Sequence, residues 1–148
     1  MSFAPYRLAE SASADENVSS FLSTQLRQHN NLVSAHHRDV RTHPPEPLNL
    51  LLYDDAGEIR GGLTASTYWA WLEIDTLWLH ETLRGHGYGH RLLALAEQRS
   101  QERGCRRAFL TTYSFQARGF YEKAGYVVVG ALEDYPPGAI YYWMRKDF

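Results

Sequence analysis

The sequence predicts an α/β (α+β) fold, a sheet with helices packed on it, and three observations carry that reading. Apolar segments of strand length, divided by turn residues, occupy the middle of the chain. Two segments with helical spacing follow, each closed by a glycine and separated by a short strand. Two further strands end the chain, with no repeat, low-complexity run or linker. A length of 148 residues suits one domain with a sizeable core and is too short for two ordinary ones.

The elements read in order as follows. After a short strand around residues 6–8, Ser13 and Glu16 stand at capping-box spacing, and Val18, Phe21, Leu22, Gln25 and Leu26 follow at helical intervals. These predict a first amphipathic helix. Residues 30–41 are polar and carry His36 and His37, with His29 and His43 flanking them. The run ends at Pro44-Pro45-Glu46-Pro47, which no helix passes. A second, poorer helix or a mobile loop fits there.

Residues 48–53 form an apolar strand, Asp54-Asp55-Ala56-Gly57 a turn, and residues 59–68 the returning strand of a hairpin. Residues 71–79 are a third long β segment. Alternation along it puts Glu73, Asp75, Leu77 and Leu79 on one face and Leu72, Ile74, Thr76 and Trp78 on the other. Residues 87–103 carry Tyr88, Leu92, Leu95, Ala96 and Arg99 at helical spacing and stop at Gly104. A strand over 107–112, a short helix over 116–124 closed by Gly125, and a strand over 126–132 come next. The turn Pro136-Pro137-Gly138 leads to a last strand over 140–144, whose Tyr-rich sequence reads as an exposed edge that a homodimer would cover.

Hydrophobic residues make up 44% and charged residues 22%, ordinary values for a folded globular domain. Fifteen Lys and Arg against seventeen Asp and Glu give a net charge of −2, which supplies no basic field for a phosphate backbone. Nucleic acid is therefore not an expected partner. No segment approaches the ~20 apolar residues of a bilayer span, and no basic stretch leads into an apolar run at the start. A single cysteine, Cys105, cannot make an intrachain disulfide and reads as a small packed side chain. A cytoplasmic protein without a membrane partner is expected.

The densest chemical signal is Leu83-Arg84-Gly85-His86-Gly87-Tyr88-Gly89-His90-Arg91-Leu92-Leu93, between the long strand and a helix. Glycines there allow a tight turn and leave backbone N–H groups aimed, with the helix N-terminus, at an anion. A phosphate-bearing ligand is the natural occupant. The Gly-Lys-Ser/Thr ending of a P-loop is absent, and His90 stands where the third glycine of the dinucleotide fingerprint would be. His86 and His90 have helical ligand spacing but no third ligand near them, so no metal is expected.

Arg84-x-x-Gly87-x-Gly89, after an apolar strand and before an amphipathic helix, resembles the acyl-CoA pyrophosphate loop of the GNAT superfamily of N-acetyltransferases. A second motif, Phe120-Tyr121-Glu122-Lys123-Ala124-Gly125-Tyr126, resembles the same superfamily's helix end, in the right order and at the right separation. The resemblance is clear over 48–148 and looser over 1–47, where the superfamily varies and shapes its acceptor pocket. Trp78, Ser114-Phe115-Gln116-Ala117 and Leu132-Glu133-Asp134-Tyr135-Pro136-Pro137-Gly138 further resemble one bacterial branch of it. The resemblance implies a mixed, mostly antiparallel sheet of six to seven strands flanked by about four helices. It implies a single domain over 1–148, with acceptor-side helices in 1–47 and a cofactor-binding core in 48–148.

It also implies acetyl-CoA as co-substrate and an amine, small-molecule or peptide, as acceptor. Leu77, Trp78 and Leu79 would meet the acetyl group with a backbone N–H, and the amides from Gly85 through His86, Gly87, Tyr88, Gly89 and His90 would hold the pyrophosphate. Arg84 and Arg91 would add positive charge. Many members place an asparagine on the cofactor seven residues before the motif tyrosine. Here that position is Ser114, with a shorter hydroxyl.

Acetyl transfer from a thioester needs a neutral amine, a donor for the tetrahedral oxyanion and a proton for the leaving thiolate. Tyr121 is the candidate acid, because the resemblance implies a hydroxyl beside the sulfur, and a phenol of pKa ~10 can hydrogen-bond or protonate a thiolate of pKa ~8.5. Asp75 and Glu73 are the candidate bases on the strand that leads into the loop. Glu133, Asp134 and Tyr135 would lie near the acceptor cleft, where acidic groups suit a cationic amine. The alternative to an enzyme is an acyl-CoA-binding regulatory module without turnover. A protein-interaction domain whose glycine loop is coincidental is a second rival and predicts no affinity for CoA.

Overall fold

The computed structural model describes residues 4–40 and 43–148 and resolves into two compact units, Met1–Thr42 and His43–Phe148. The first unit holds α1 (Glu16–Val33) and α2 (Ala35–Asp39). The cap of α1 is Asp15, two residues beyond the Ser13 that the capping-box spacing selects. Its Oδ1 accepts from Asn17 N–H at 2.9 Å and Val18 N–H at 3.2 Å. A carboxylate offers the first turn both hydrogen bonding and favourable charge, whereas Ser13 turns its hydroxyl to Ser11. No strand forms at residues 6–8, which are exposed. The apolar stripe Val18, Phe21, Leu22 and Leu26 lies on α1 and is exposed.

The second unit is one six-stranded sheet with two helices. Its elements are β1 (Glu46–Tyr53), β2 (Ile59–Tyr68), β3 (Trp71–Leu79), α3 (Tyr88–Glu102), β4 (Arg107–Tyr113), α4 (Arg118–Lys123), β5 (Val127–Glu133) and β6 (Ile140–Asp147). The strand order is β1-β2-β3-β4-β6-β5, with β3 and β4 parallel and every other neighbour antiparallel. Only the parallel pair needs a long crossover, and α3 supplies it. The β1–β2 turn is fixed by Asp54, whose Oδ1 accepts from the Ala56 and Glu58 N–H groups and whose Oδ2 accepts from Arg60 at 2.7 Å.

The order corrects one expectation. β6 lies between β4 and β5, so the Tyr-rich final strand is interior, and the strands at the sheet's ends are β1 and β5. The reason for expecting a homodimer at that strand falls with it, because both of its edges already have partners.

A hydrophobic core joins the strands to α3 and α4. Leu63, Leu72, Leu93, Leu110 and Met144 are essentially fully buried there, with Leu48, Ile74, Leu92 and Tyr126 around them. α3 buries Gly89, Leu92, Leu93, Ala96 and Ser100. Arg99, expected on that stripe, is exposed and ion-paired with Glu102 at 2.8 Å. The buried face is thus rotated toward Leu93, which the i, i+4 series from Leu92 misses.

Candidate active site

Alternation along β3 does not hold throughout. Ile74 pairs with Ala65 of β2 and Thr76 with Thr64, so Asp75 is an extra residue, a bulge. Before it, Leu72 and Ile74 face the core; after it, Leu77 and Leu79 do. The expectation that Glu73, Asp75, Leu77 and Leu79 share a face is therefore corrected: the bulge sends the two leucines to the opposite side from Glu73.

The pairing of β3 with β4 runs from Trp71 and Arg107 to Ile74 and Leu110 and ends where the bulge begins. Beyond it the two strands flank a cleft of about 960 Å³. One wall is β3 from Asp75 to Leu79. The other is the end of β4, Thr111 and Thr112, with Gln116, Ala117, Phe120 and Tyr121. The backbone edge of β3 that faces this gap has no strand partner after Ile74, which leaves its polar groups, apart from the Leu79 carbonyl held by Arg84, open to a ligand.

The glycine loop closes one end of the cleft. Arg84, Gly85, Gly87, Tyr88, Gly89 and His90 line it. Gly85 and Gly87 have φ of 76° and 80°, left-handed values at which any side chain adds strain. Gly87 is the N-cap of α3, and the first bond of the helix runs from Arg91 N–H to Gly87 O at 3.1 Å. The N–H groups of Gly87, Tyr88, Gly89 and His90 therefore have no partner within the helix, and they meet the loop at its positive end. Arg84 is anchored by its Nε, which donates to Leu79 O at 3.0 Å. Arg91 and His86 are exposed and outside the lining; the Arg91 guanidinium lies over the Tyr88 ring.

Tyr121 is 7% exposed and lines the cleft from α4. Its ring packs edge-on against Phe120 and Tyr126. Burial pushes its pKa above 10, so it carries its proton at neutral pH. Asp75 also has a raised pKa, first from burial and then from the charge of Glu73. Glu73 itself is outside this cleft and accepts from the Tyr68 hydroxyl at 2.6 Å. That bond, with burial and the two nearby carboxylates, pushes Tyr68 up to about 12.

Residues 12–126 match the acetyltransferase (GNAT) family. The chain belongs to that family. This acetyltransferase is 42% identical over 94 residues to blasticidin-S acetyltransferase of Streptomyces morookaense, a match spanning 63% of this chain and 69% of that one. It is similar to the crystal structure of an acetyltransferase from Bacillus cereus, with a TM-score of 0.81, 32% identity and coverage of 95% and 98% of the two chains. An aminoglycoside 6'-N-acetyltransferase complexed with coenzyme A shares the fold, with a TM-score of 0.60, 22% identity and coverage of 91% and 95%.

The remaining sequence expectations fare unevenly. Ser114 of the acetyltransferase is outside the cleft lining. Its Oγ accepts from Ile140 N–H at 3.0 Å and its N–H donates to Ile140 O at 2.8 Å, because the insertion of β6 beside β4 engages this residue. Glu133, the last residue of β5, and Asp134 and Tyr135 of the β5–β6 turn are exposed and also outside the lining. Asp134 Oδ1 accepts from Gly138 N–H at 3.2 Å, and the Tyr135 ring meets Tyr141. Sequence reasoning missed Thr111, Thr112 and Gln116. Their signal is the parallel register of β3 on β4, a long-range relation that local spacing does not contain. No described helix is long and apolar enough to cross a membrane.

Proposed function

We propose that this acetyltransferase transfers the acetyl group of acetyl-CoA to a primary amine of a small molecule by direct attack. The observation that carries the reading is the cleft between the divergent ends of β3 and β4, with a phosphate-type glycine loop at one end and Tyr121 in its wall. The unpaired N–H groups at the start of α3, with Arg84, suit the pyrophosphate. The open edge of β3 around Trp78 and Leu79 suits the thioester carbonyl and the oxyanion formed from it.

In this reading Asp75 takes the proton from the ammonium form of the acceptor, directly or through water. The neutral amine attacks the carbonyl carbon, the tetrahedral oxyanion is held by a β3 N–H, and the C–S bond breaks. Tyr121 gives its proton to the departing thiolate and is restored by the proton that the acylated nitrogen sheds, passed directly or through water. Arg84 and the loop amides fix the donor, and Arg91 and His86 add to it from the rim. The small-molecule acceptor is supported by the relative named for blasticidin S. Glu133, Asp134 and Tyr135 would take part only by approaching an acceptor from the end of β5 and the turn after it.

A calorimetric titration with acetyl-CoA tests this. Micromolar binding by the wild type, abolished in Gly87→Val/Gly89→Val, and thiol release with an amine are the expected results. A folded wild type that does not bind acetyl-CoA overturns the reading. Binding with no turnover on any amine favours the regulatory module.

A further inference from the structure

Gln116 closes the edge of β4 that β3 leaves behind. The Ser114 N–H donates to Ile140 O on the β6 side. Successive residues of a strand point their N–H and C=O groups to opposite edges, so those of Tyr113 face the side from which β3 has withdrawn. Gln116 takes both. Its backbone N–H donates to Tyr113 O at 2.9 Å, and its side-chain Oε1 accepts from Tyr113 N–H at 3.0 Å and from Thr112 Oγ1 at 3.4 Å.

The two bonds to Oε1 decide what the rest of the side chain offers. A backbone N–H only donates, so the amide atom beside Tyr113 N–H is the oxygen, and the orientation of the amide follows from it. Nε2 carries two N–H donors and makes no hydrogen bond among the described residues. Gln116 lines the cleft, and with its oxygen engaged it brings a donor there and not an acceptor. Thr112 is buried and gives its hydroxyl proton to Gln116, and Ser114 has its hydroxyl on Ile140 N–H.

The two walls of the cleft therefore differ. β3 keeps a backbone edge without a strand partner after Ile74, whereas the edge of β4 at Tyr113 is sealed and carries a side-chain amino group in its place. A ligand that reaches from the glycine loop to Tyr121 runs between these walls. In acyl-CoA the stretch between pyrophosphate and thioester is the pantetheine arm, whose strong acceptors are two amide carbonyls. Because Oε1 is already anchored, the Gln116 amide gives up little freedom when such a carbonyl arrives.

We propose that Gln116 Nε2 donates a hydrogen bond to an amide carbonyl of the pantetheine arm and holds the arm against β3; the proposal rests on the acetyl-transfer reading. Gln116 is then a binding residue for the acetyl donor, and its backbone and oxygen are the means by which the end of β4 positions it.

Calorimetric titrations of wild type, Gln116→Glu and Gln116→Met test this with two ligands, acetyl-CoA and 3'-phospho-ADP, the part of CoA that lacks the arm. Gln116→Glu keeps an oxygen for Tyr113 N–H and Thr112 but loses the donor, and Gln116→Met is neutral and loses both. Each variant should bind acetyl-CoA at least roughly threefold more weakly, the effect of one hydrogen bond, and 3'-phospho-ADP within about twofold of wild type. With any amine that supports thiol release, the KM for acetyl-CoA should rise and that for the amine should not. Weakening in Gln116→Met alone means that Gln116 only fastens the end of β4, and overturns the proposal. Equal weakening of 3'-phospho-ADP, or a rise in the KM of the amine in place of that of acetyl-CoA, overturns it as well. If wild type binds acetyl-CoA and both variants bind it unchanged, the Gln116 assignment fails alone. If folded wild type does not bind acetyl-CoA, the acetyl-transfer reading fails and takes this assignment with it.

Discussion

Gly89 of α3 and Phe120 of α4 are packed so closely that a methyl group on the glycine would sit 3.2 Å from Phe120 Cε2 and 3.3 Å from Cζ. The contact joins the first turn of the phosphate loop's helix to the helix that carries Tyr121. His90 adds to it, its ring 4.5 Å from that of Phe120. Gly89→Val should therefore push the helices apart, costing about 1–3 kcal/mol by overpacking and weakening acetyl-CoA binding. Gly87→Ala meets open space and should cost only the left-handed backbone penalty, about 1–2 kcal/mol. Thermal denaturation and calorimetry on both variants separate the two causes.

Tyr121→Phe removes the hydroxyl of a residue that lines the cleft, and burial, not a hydrogen bond, is what raises its pKa. Loss of general acid catalysis should lower kcat by roughly 10²–10⁴-fold, with acetyl-CoA affinity within about twofold of wild type, since the ring and its contacts with Phe120 and Tyr126 stay. Stopped-flow thiol release beside a binding titration checks this. An unchanged rate would remove Tyr121 from the chemistry.

Local spacing shows β2 and β3 at their true bounds and both glycine-closed helices, because each depends on residues near one another in sequence. Tyr121 was singled out by the resemblance of its motif and the loop glycines by their local pattern, and both line the cleft. The bulge at Asp75 was not legible, since it depends on which residue of β2 stands opposite. Nor was the interior place of β6: Tyr141, Tyr142 and Trp143 suit an edge or a centre equally, and only the pairing with both β4 and β5 decides. Ser114 shows the consequence, its hydroxyl being committed to Ile140 by that insertion.

The acidic limb of the pH–rate profile should belong to Asp75. Burial and the Glu73 charge both disfavour its ionised form, so its pKa lies above the ordinary 3.8. As base it works only when ionised, and kcat/KM should fall as pH drops through that raised value. Glu73→Gln removes the repelling charge and should move the limb to lower pH. Asp75→Asn should abolish the limb and lower kcat at least about 10²-fold. Because a raised carboxylate pKa means that ionisation opposes folding at neutral pH, Asp75→Asn should leave Tm equal or higher. A fall in Tm with an unmoved limb would point to a structural role.

Lys146 of β6 donates to Glu97 Oε2 of α3 at 2.6 Å, and Glu97 is 8% exposed with its other oxygen buried and unpartnered. The ammonium also lies 5.7 Å from the Tyr126 ring centroid, whose hydroxyl is buried without a partner. Lys146→Met strands a nearly buried carboxylate and should cost about 2–3 kcal/mol, the usual loss for a charged hydrogen bond. Glu97→Gln removes the charge and should cost less. Adding Glu97→Leu to Lys146→Met should restore part of the loss, because two apolar side chains leave no charge unpaired. Urea denaturation of the single and double variants measures this. If Lys146→Met and the double variant are equally destabilised, the cost comes from lost packing around Tyr126 and not from the stranded carboxylate.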